Sequence, residues 1–317
     1  MTAILRLNMT LPGLDPAAMS DRYKAALDMA AQVDAAGFAA VTLDEHHGAS
    51  DGWLPSPMVM AGMIAARTSR VFISLQALLL PLHDPLRVAE DLIVADLVSG
   101  GRLSVTVGLG YRPEEYAAHR KSWADRGALL DEALQELVQA WRGEPVKREG
   151  AEIVVTPRPL SANPPLLVGG SSRPAARRAA RFGLPFSPPA KLPEIEAYYR
   201  EQCAEHGTTP LVVAPPADVA LVFVAEDPDK AWAELGSHFL HEATMYHSWQ
   251  APEQRSAVHS EASSVDDLRA EGIYQVLTPT EARERDATSR TPVVLHPLCG
   301  GMPLDAAWDC VRLFLDG

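Results

Sequence analysis

The chain has little cysteine and no long apolar run. Its three cysteines, Cys203, Cys299 and Cys310, have neither CxxC spacing nor the density of a disulfide framework, so we expect reduced thiols. No uninterrupted apolar stretch reaches the ~20 residues that a membrane span requires. The first residues lack a basic flank followed by a long apolar segment, so the sequence predicts no signal peptide and a cytoplasmic protein.

Positive charge is also scarce. The sequence has 28 Lys and Arg against 41 Asp and Glu, a formal net charge of −13, and the acidic residues do not form runs. A protein with this balance is a poor candidate for binding nucleic acid or an anionic membrane. Any anionic cofactor would therefore need backbone amides or a few well-placed basic groups.

The sequence also lacks the GxGxxG pattern that a Rossmann domain would carry after its first strand. What it does contain is a strand, a helix and a strand within one stretch. An apolar strand at 71–80 is followed by Asp84-Pro85, which is typical of a helix start. Ser99-Gly100-Gly101 ends that helix, and the alternation at 103–109 predicts a second strand. This order is typical of a parallel βαβ unit.

The same alternation of strands and helices runs along the whole chain. About eight strand–helix pairs with no linker favour a single (β/α)8 TIM barrel over residues 1–317 rather than a doubly wound sheet. Ser20 is predicted to cap the first helix and Gly37 to end it. Residues 241–290 are polar and irregular, which predicts a long insertion or lid before the last strand. The strands are predicted at 3–8, 38–44, 71–80, 103–109, 166–168, 184–186, 219–224 and 293–295.

In such a barrel the residues just past the carboxyl ends of the strands share one face, where the candidate site is expected. The glycines at 108 and 110 would let a backbone approach a flat ring or a phosphate closely. A metal site at Glu45-His46-His47 would need three or four ligands, and only His296 offers a further one, so none is expected. The residues that would converge are Asn8, Glu45, His46, His47, Gln76, Ala77, Gly108, Gly110, Tyr111, Gly169, Gly170, Ser171, Ser172 and His296.

These motifs, in this order and spacing, resemble the bacterial luciferase-like, flavin-dependent monooxygenase family. The resemblance runs through the whole chain and thins between residues 185 and 290. The matching motifs are Asp44-Glu45-His46-His47, Leu80-Pro81, Asp84-Pro85-Leu86-Arg87-Val88-Ala89-Glu90-Asp91, Ser99-Gly100-Gly101-Arg102-Leu103, Gly108-Leu109-Gly110-Tyr111, Val168-Gly169-Gly170-Ser171-Ser172 and Gly300-Gly301-Met302-Pro303.

The resemblance implies a TIM barrel, usually a homodimer, that binds reduced FMN or the deazaflavin F420 over the strand ends. A non-prolyl cis peptide supports the flavin ring in the FMN-dependent members, and here it would join Gln76 and Ala77. The turn at 169–172 would hold the phosphate. His46 and Glu45 would be the catalytic residues, and a histidine suits a group that transfers a proton near neutral pH.

The resemblance favours FMN over F420 as the cofactor. F420-dependent members commonly carry Ser-Asp-His after the second strand, and some have a glutamate after the glycines of the fourth. This chain has Glu-His-His at 45–47 and Tyr111 at those places. FMN-dependent monooxygenation with O2 is thus the first interpretation. F420-dependent hydride transfer and a non-catalytic flavin-binding barrel remain as alternatives.

The expected partners are a small organic substrate and a reductase that supplies reduced flavin. The substrate would contact Asn8, His47, Trp53 and His296, although Trp53 could also be a plain packing residue. His46 and His47 are adjacent, so only one of them can easily face the mouth of the barrel. The identity of the substrate cannot be read from these residues.

Overall fold

The computed structural model describes residues 1–250, 256 and 258–316, in which helices follow strands along the chain. The strands of these residues are β1 (Ile4–Leu7), β2 (Ala40–Leu43), β3 (Phe72–Leu78), β4 (Leu103–Val107), β5 (Val146–Arg148), β6 (Ala151–Ile153), β7 (Leu166–Gly169), β8 (Phe186–Ser187), β9 (Leu221–Val224), β10 (Tyr274–Leu277) and β11 (Val294–Leu295). The helices are α1 (Pro16–Ala36), α2 (Pro57–Arg67), α3 (Pro85–Ser99), α4 (Pro113–Ala118), α5 (Arg126–Arg142), α6 (Arg173–Phe182), α7 (Pro193–His206), α8 (Pro228–Trp249), α9 (Val265–Glu271), α10 (Pro279–Thr288) and α11 (Leu304–Asp316).

The chain divides into two compact units. The first unit comprises Met1–Pro55, Arg67–Phe72 and Pro216–Gly317, and the second comprises Ser56–Ala66 and Ile73–Pro215. Parallel strands in the first unit follow the order β10-β9-β11-β1-β2, and those in the second follow β3-β4-β7-β8. β5 and β6 form a separate antiparallel pair. Parallel strands alternating with helices confirm the predicted α/β class.

The ends of α3 show how the sequence sets local structure. The Asp84 carboxylate accepts hydrogen bonds from the amides of Leu86 and Arg87, and Pro85 stands at the first turn, as predicted. Gly100 ends the helix in the left-handed conformation at φ 69°, which glycine adopts without a steric penalty. The apolar face between these ends is buried.

The start of α1 differs from the prediction. The helix begins at Pro16, and the Asp15 carboxylate accepts a hydrogen bond from the amide of Ala18. Ser20 therefore lies inside the helix, and its predicted capping role is wrong. Like α3, this helix starts with an aspartate followed by a proline. Its predicted end at Gly37 is confirmed.

The range 241–290 is more regular than its sequence indicates. It holds the end of α8, which runs to Trp249, followed by α9, β10 and α10. The prediction of an irregular segment is wrong for these elements, while residues 251–255 and 257 lie outside the described part. A lid role for the range, and a single domain over the chain, stay predictions. Within the described residues, every helix is too short or too polar to cross a membrane.

Candidate active site

The carboxyl ends of three neighbouring strands bring predicted site residues together in the first unit. Asn8 follows β1, residues 45–47 follow β2 and His296 follows β11. The Asn8 side-chain nitrogen lies 3.5 Å from Nε2 of His296. The amide of Leu54 donates to the Asn8 carbonyl (2.8 Å), and the amide of His46 donates to the Leu54 carbonyl (3.0 Å). These backbone bonds fix the loop after β2 against the end of β1.

Glu242 of α8 is the centre of this arrangement, although no sequence motif pointed to it. Its carboxylate accepts hydrogen bonds from Asn8 Nδ2 (2.6 Å), His296 Nε2 (2.8 Å) and the Gly300 amide (3.0 Å). Burial alone would raise the pKa of Glu242, but the charge and hydrogen bond of His296, together with Arg6, hold that pKa well below its usual range. Glu242 is therefore an enclosed carboxylate.

The other ring nitrogen of His296 also faces an acceptor. Nδ1 lies 3.2 Å from the carbonyl oxygen of Arg6. The two nitrogens of the ring thus lie between the Glu242 carboxylate and the backbone of β1, which holds the ring in place. Asn8 and His296 are 0% and 2% exposed, and their predicted contact with a substrate stays a prediction. In the structure both side chains bond to Glu242 and thereby help to position α8.

Two further side chains complete the surroundings of this carboxylate. Tyr274 donates its hydroxyl to Glu242 at 3.3 Å, and burial raises the pKa of that hydroxyl well above its ordinary value. Burial likewise raises the pKa of the Cys299 thiol. The ligand atoms of Glu242, His296 and Cys299 lie within 4.8 Å of one another and could in principle hold a cation. The hydrogen bonds already made to Glu242, and the nearby Arg6 guanidinium, favour a structural network instead.

The two adjacent histidines after β2 have different surroundings. His47 Nε2 lies 2.9 Å from Oε1 of Glu45, whose side chain is fully enclosed. His46 contacts aromatic rings: its ring centroid is 5.3 Å from that of Trp53 and 4.8 Å from that of Trp249. Glu45 and His47 therefore form one pair, while His46 lies among apolar rings.

These rings form what we call the aromatic cluster: His46, Trp53, Tyr246 and Trp249. Trp53 and Trp249 pack edge to face with centroids 5.2 Å apart, and Tyr246 stacks on Trp53 at 6.3 Å. Tyr246 and Trp249 come from the last turns of α8, a part of the chain for which the sequence predicted no helix. His241 Nε2, on the same helix, lies 3.0 Å from the buried carboxylate of Asp51 in the loop after β2.

The predicted ring-binding residues lie at two strand ends of the second unit. The peptide bond between Gln76 and Ala77 is cis, as predicted. A Cβ added to Gly108 would lie 3.2 Å from Cβ of Ala77, so a glycine is needed for close packing at this point. Gly110 has φ 71°, and Tyr111 follows it as a partly buried residue. Gly108 and Gly110 thus leave the backbone after β4 without side chains, next to the cis peptide of β3.

The turn between β7 and α6 contains the predicted phosphate-binding residues. A Cβ on Gly169 would lie 2.9 Å from a threonine side chain of β4, and one on Gly170, at φ 140°, would lie 2.7 Å from Cβ of Ala175. Ser171 is partly buried and Ser172 is exposed. Ser172 makes no side-chain capping bond to the described residues of α6. A tight glycine turn, two serines and a helix start fit a phosphate group.

Comparison with known proteins identifies the family. A family model described as luciferase-like monooxygenase matches residues 7–291. The chain therefore belongs to the luciferase-like monooxygenase family, as the resemblance indicated. A curated relative, 4-hydroxyprotoasukamycin monooxygenase from Streptomyces nodosus subsp. asukaensis, is 29% identical over 202 residues, which are 58% of this chain and 54% of the relative. The chain spans about half the length of the curated relatives it matches.

Solved structures share the fold over nearly the whole chain. Monooxygenase RslO1 from Streptomyces bottropensis has a TM-score of 0.74 at 24% identity, covering 100% of this chain and 98% of its own. The oxygenating constituent of 3,6-diketocamphane monooxygenase from Pseudomonas putida, in complex with FMN, has a TM-score of 0.70 at 17% identity, covering 99% and 96%. An F420-dependent secondary alcohol dehydrogenase has a TM-score of 0.64 at 19% identity, and the match covers 99% of this chain and 98% of the dehydrogenase. The chain thus has the fold of luciferase-like TIM-barrel enzymes.

Proposed function

We propose that this protein is a flavin-dependent monooxygenase that oxidises a small organic substrate with O2. The observation that carries the proposal is the position of His46. This residue follows β2, its backbone is fixed by Leu54, and its ring is only 6% exposed among aromatic side chains. An imidazole held away from bulk water can transfer a proton near neutral pH without competition from solvent.

Reduced FMN is the cofactor that we propose. When bound, it would supply the two electrons needed to place one oxygen atom of O2 in the substrate and the other in water. The turn at 169–172 would bind its phosphate through backbone amides and serine hydroxyls. Gln76, Ala77, Gly108, Gly110 and Tyr111 would contact its ring. A separate reductase would regenerate the reduced cofactor after each turnover.

The choice between FMN and F420 can be tested by anaerobic equilibrium binding of the two reduced cofactors, side by side. We expect FMN to bind more tightly, and admission of air to give an oxygenated product from the substrate. Tighter binding of F420 would instead support hydride transfer, in line with the F420-dependent dehydrogenase among the structural neighbours. Flavin uptake without any substrate-dependent oxidation would identify a non-catalytic flavin-binding protein.

Replacing His46 with alanine tests the proposed catalytic residue. We expect flavin affinity to stay near wild type, because the phosphate-binding turn is untouched, and turnover to fall by about 10²- to 10⁴-fold. Reduced FMN would be supplied by a flavin reductase with NADH, and the hydroxylated product quantified by mass spectrometry. His206→Ala, at an exposed position on α7, is the matched control. Unchanged turnover in the His46 variant would refute the assignment.

We also propose that the protein is a homodimer. Val59 and Met63 on α2, and Val94, Leu97 and Val98 on α3, expose 63%, 38%, 51%, 43% and 53% of their surface. Val59 and Met63 are four positions apart, and Val94 is three and four positions from Leu97 and Val98, so within each helix these side chains share a face. Such groups of exposed apolar side chains mark an interaction surface more often than single exposed residues do. Sedimentation should give a dimer for the wild type and a monomer after Leu97→Glu. A wild-type monomer would contradict the proposal.

A further inference from the structure

The aromatic cluster has an inner and an outer layer. His46 and Trp53 are buried, with 6% and 2% of their surface exposed, whereas Tyr246 and Trp249 are partly exposed. Trp249, which contacts His46, and Tyr246, which stacks on Trp53, are therefore the members of the cluster that solvent reaches. A molecule that reaches His46 from this side must pack among these rings.

Aromatic rings select their partners by shape and by charge distribution. Their faces are electron-rich and their edges are electron-poor, so they favour stacked or edge-to-face contacts with other aromatic rings. The centroid separations in the cluster, 4.8 to 6.3 Å, are those of such contacts. A planar aromatic ligand that packs against these rings makes stacked or edge-to-face contacts of the same kind, whereas a saturated ligand of equal size does not.

One polar atom of the cluster lacks a partner within the described part of the chain. The indole nitrogen of Trp53 is enclosed and makes no hydrogen bond there. A buried indole N–H normally finds an acceptor, and an unmade bond is unfavourable. An oxygen atom on the ligand would supply that acceptor. The buried carboxylates of the same loop, Glu45 and Asp51, lie 2.9 and 3.0 Å from His47 and His241, and two acidic groups at this loop favour an uncharged ligand over an anionic one.

From these observations we propose that the substrate is an uncharged, planar aromatic compound with a hydroxyl or carbonyl oxygen that accepts a hydrogen bond from Trp53. This inference rests on the proposed function, in which His46 acts on the substrate, and it names the class of that substrate. Trp53, Tyr246 and Trp249 are then the residues that determine specificity.

Three probe compounds separate the parts of the proposal. 2-Naphthol has both the planar rings and the oxygen, decahydro-2-naphthol keeps only the oxygen, and 2-methylnaphthalene keeps only the rings. Titration calorimetry on the whole protein, with and without FMN, should show 2-naphthol binding at least about fivefold more tightly than either analogue. Equal binding of 2-naphthol and decahydro-2-naphthol, or no binding of 2-naphthol up to millimolar concentration, would overturn the proposal.

Variants assign the preference to particular side chains. Tyr246→Leu, at a partly exposed position, should reduce the preference for 2-naphthol over decahydro-2-naphthol. Trp308→Leu, in a separate surface hollow beside Arg312, should leave that preference intact. Trp53→Phe should lower the ratio of the affinities for 2-naphthol and 2-methylnaphthalene by about tenfold, which is the loss expected for one hydrogen bond. Preferences that survive in both cluster variants would overturn the proposal.

Failure of the ligand class and failure of the monooxygenase assignment give different results. FMN binding is measured without the probes, so it can fail while the aromatic preference is present. In that case the ligand class stands and the monooxygenase assignment falls. Tight FMN binding with no aromatic preference would leave the cofactor assignment standing and overturn the ligand class.

Discussion

Replacing Glu242 with glutamine should strongly destabilise the first unit. The side chain is 1% exposed, and its carboxylate accepts hydrogen bonds from Asn8, His296 and the Gly300 amide. Glutamine keeps the shape but removes the negative charge, and its amide nitrogen cannot accept a hydrogen bond. The guanidinium of Arg6, whose charge acts on Glu242, and the ring of His296 would then be buried beside a neutral amide. Breaking a buried charge pair in this way costs about 3–5 kcal/mol.

The pH dependence provides a second signature of the same interaction. The pKa of Glu242 is held below its value of about 4.3 in an unfolded chain. A depressed carboxyl pKa contributes stability that is present above about pH 4.3 and is lost as the pH falls below it. Wild type should therefore lose stability below this pH, and Glu242→Gln should lose less, because it has no such carboxyl to protonate.

Urea unfolding followed by circular dichroism between pH 3 and pH 7 measures both effects. Glu234→Gln is the matched control, since Glu234 lies on the same helix with an exposed side chain and a long 4.0 Å contact to Lys230. Such an exposed pair contributes about 0–1 kcal/mol. Equal free energies of unfolding for the two variants at pH 7 would refute the role given to Glu242.

Two other changes test backbone packing and a buried carboxylate that holds a loop. Gly300→Ala places a Cβ 1.8 Å from the His238 carbonyl oxygen at φ 51°, and it should lower the free energy of unfolding by about 3 kcal/mol or more. Gly207→Ala is the control: Gly207 also has a positive φ (67°), but a Cβ there meets nothing within 4 Å, so the loss should be about 1 kcal/mol. Similar melting temperatures for these two would contradict the packing argument. Asp34 accepts hydrogen bonds from the three amides of residues 69–71; burial would raise its pKa, but these bonds lower it. Asp34→Asn should therefore cost about 1–3 kcal/mol at neutral pH, and this cost should shrink progressively as the pH falls below the unfolded-state pKa of about 3.9, as judged by urea unfolding across this range.

Local signals in the sequence were sufficient for much of the fold. Asp84-Pro85 and Gly100 mark the ends of α3 because caps depend on a few neighbouring residues. The alternation after Leu103 marks β4 for a similar reason, since one face of the strand is buried. Ser20 misled because a serine is a good cap in general, while the stronger Asp15-Pro16 signal stood five residues earlier.

Glu242 was missed because its partners are remote in sequence. Asn8 lies 234 positions away and His296 lies 54 away, and no local pattern records such distances. A weaker signal was available in α8. Its buried positions include Trp232, Gly236 and Phe239, and the same spacing continues to Ala243, which places residue 242 on the buried face once the helix is extended. The polar residues beyond 240 concealed this continuation.

The length of α8 has a consequence for how this protein can diversify. Glu242, Tyr246 and Trp249 are separated by four and three positions, so they occupy one face of a single helix. Inserting one residue between the first two would turn the rings by about 100° and shift them by about 1.5 Å. New ligand preferences should therefore arise by exchanging side chains at these positions, with helix length unchanged. Because Glu242 holds α8 in one rotation and register, it also determines which positions of the helix can face a ligand.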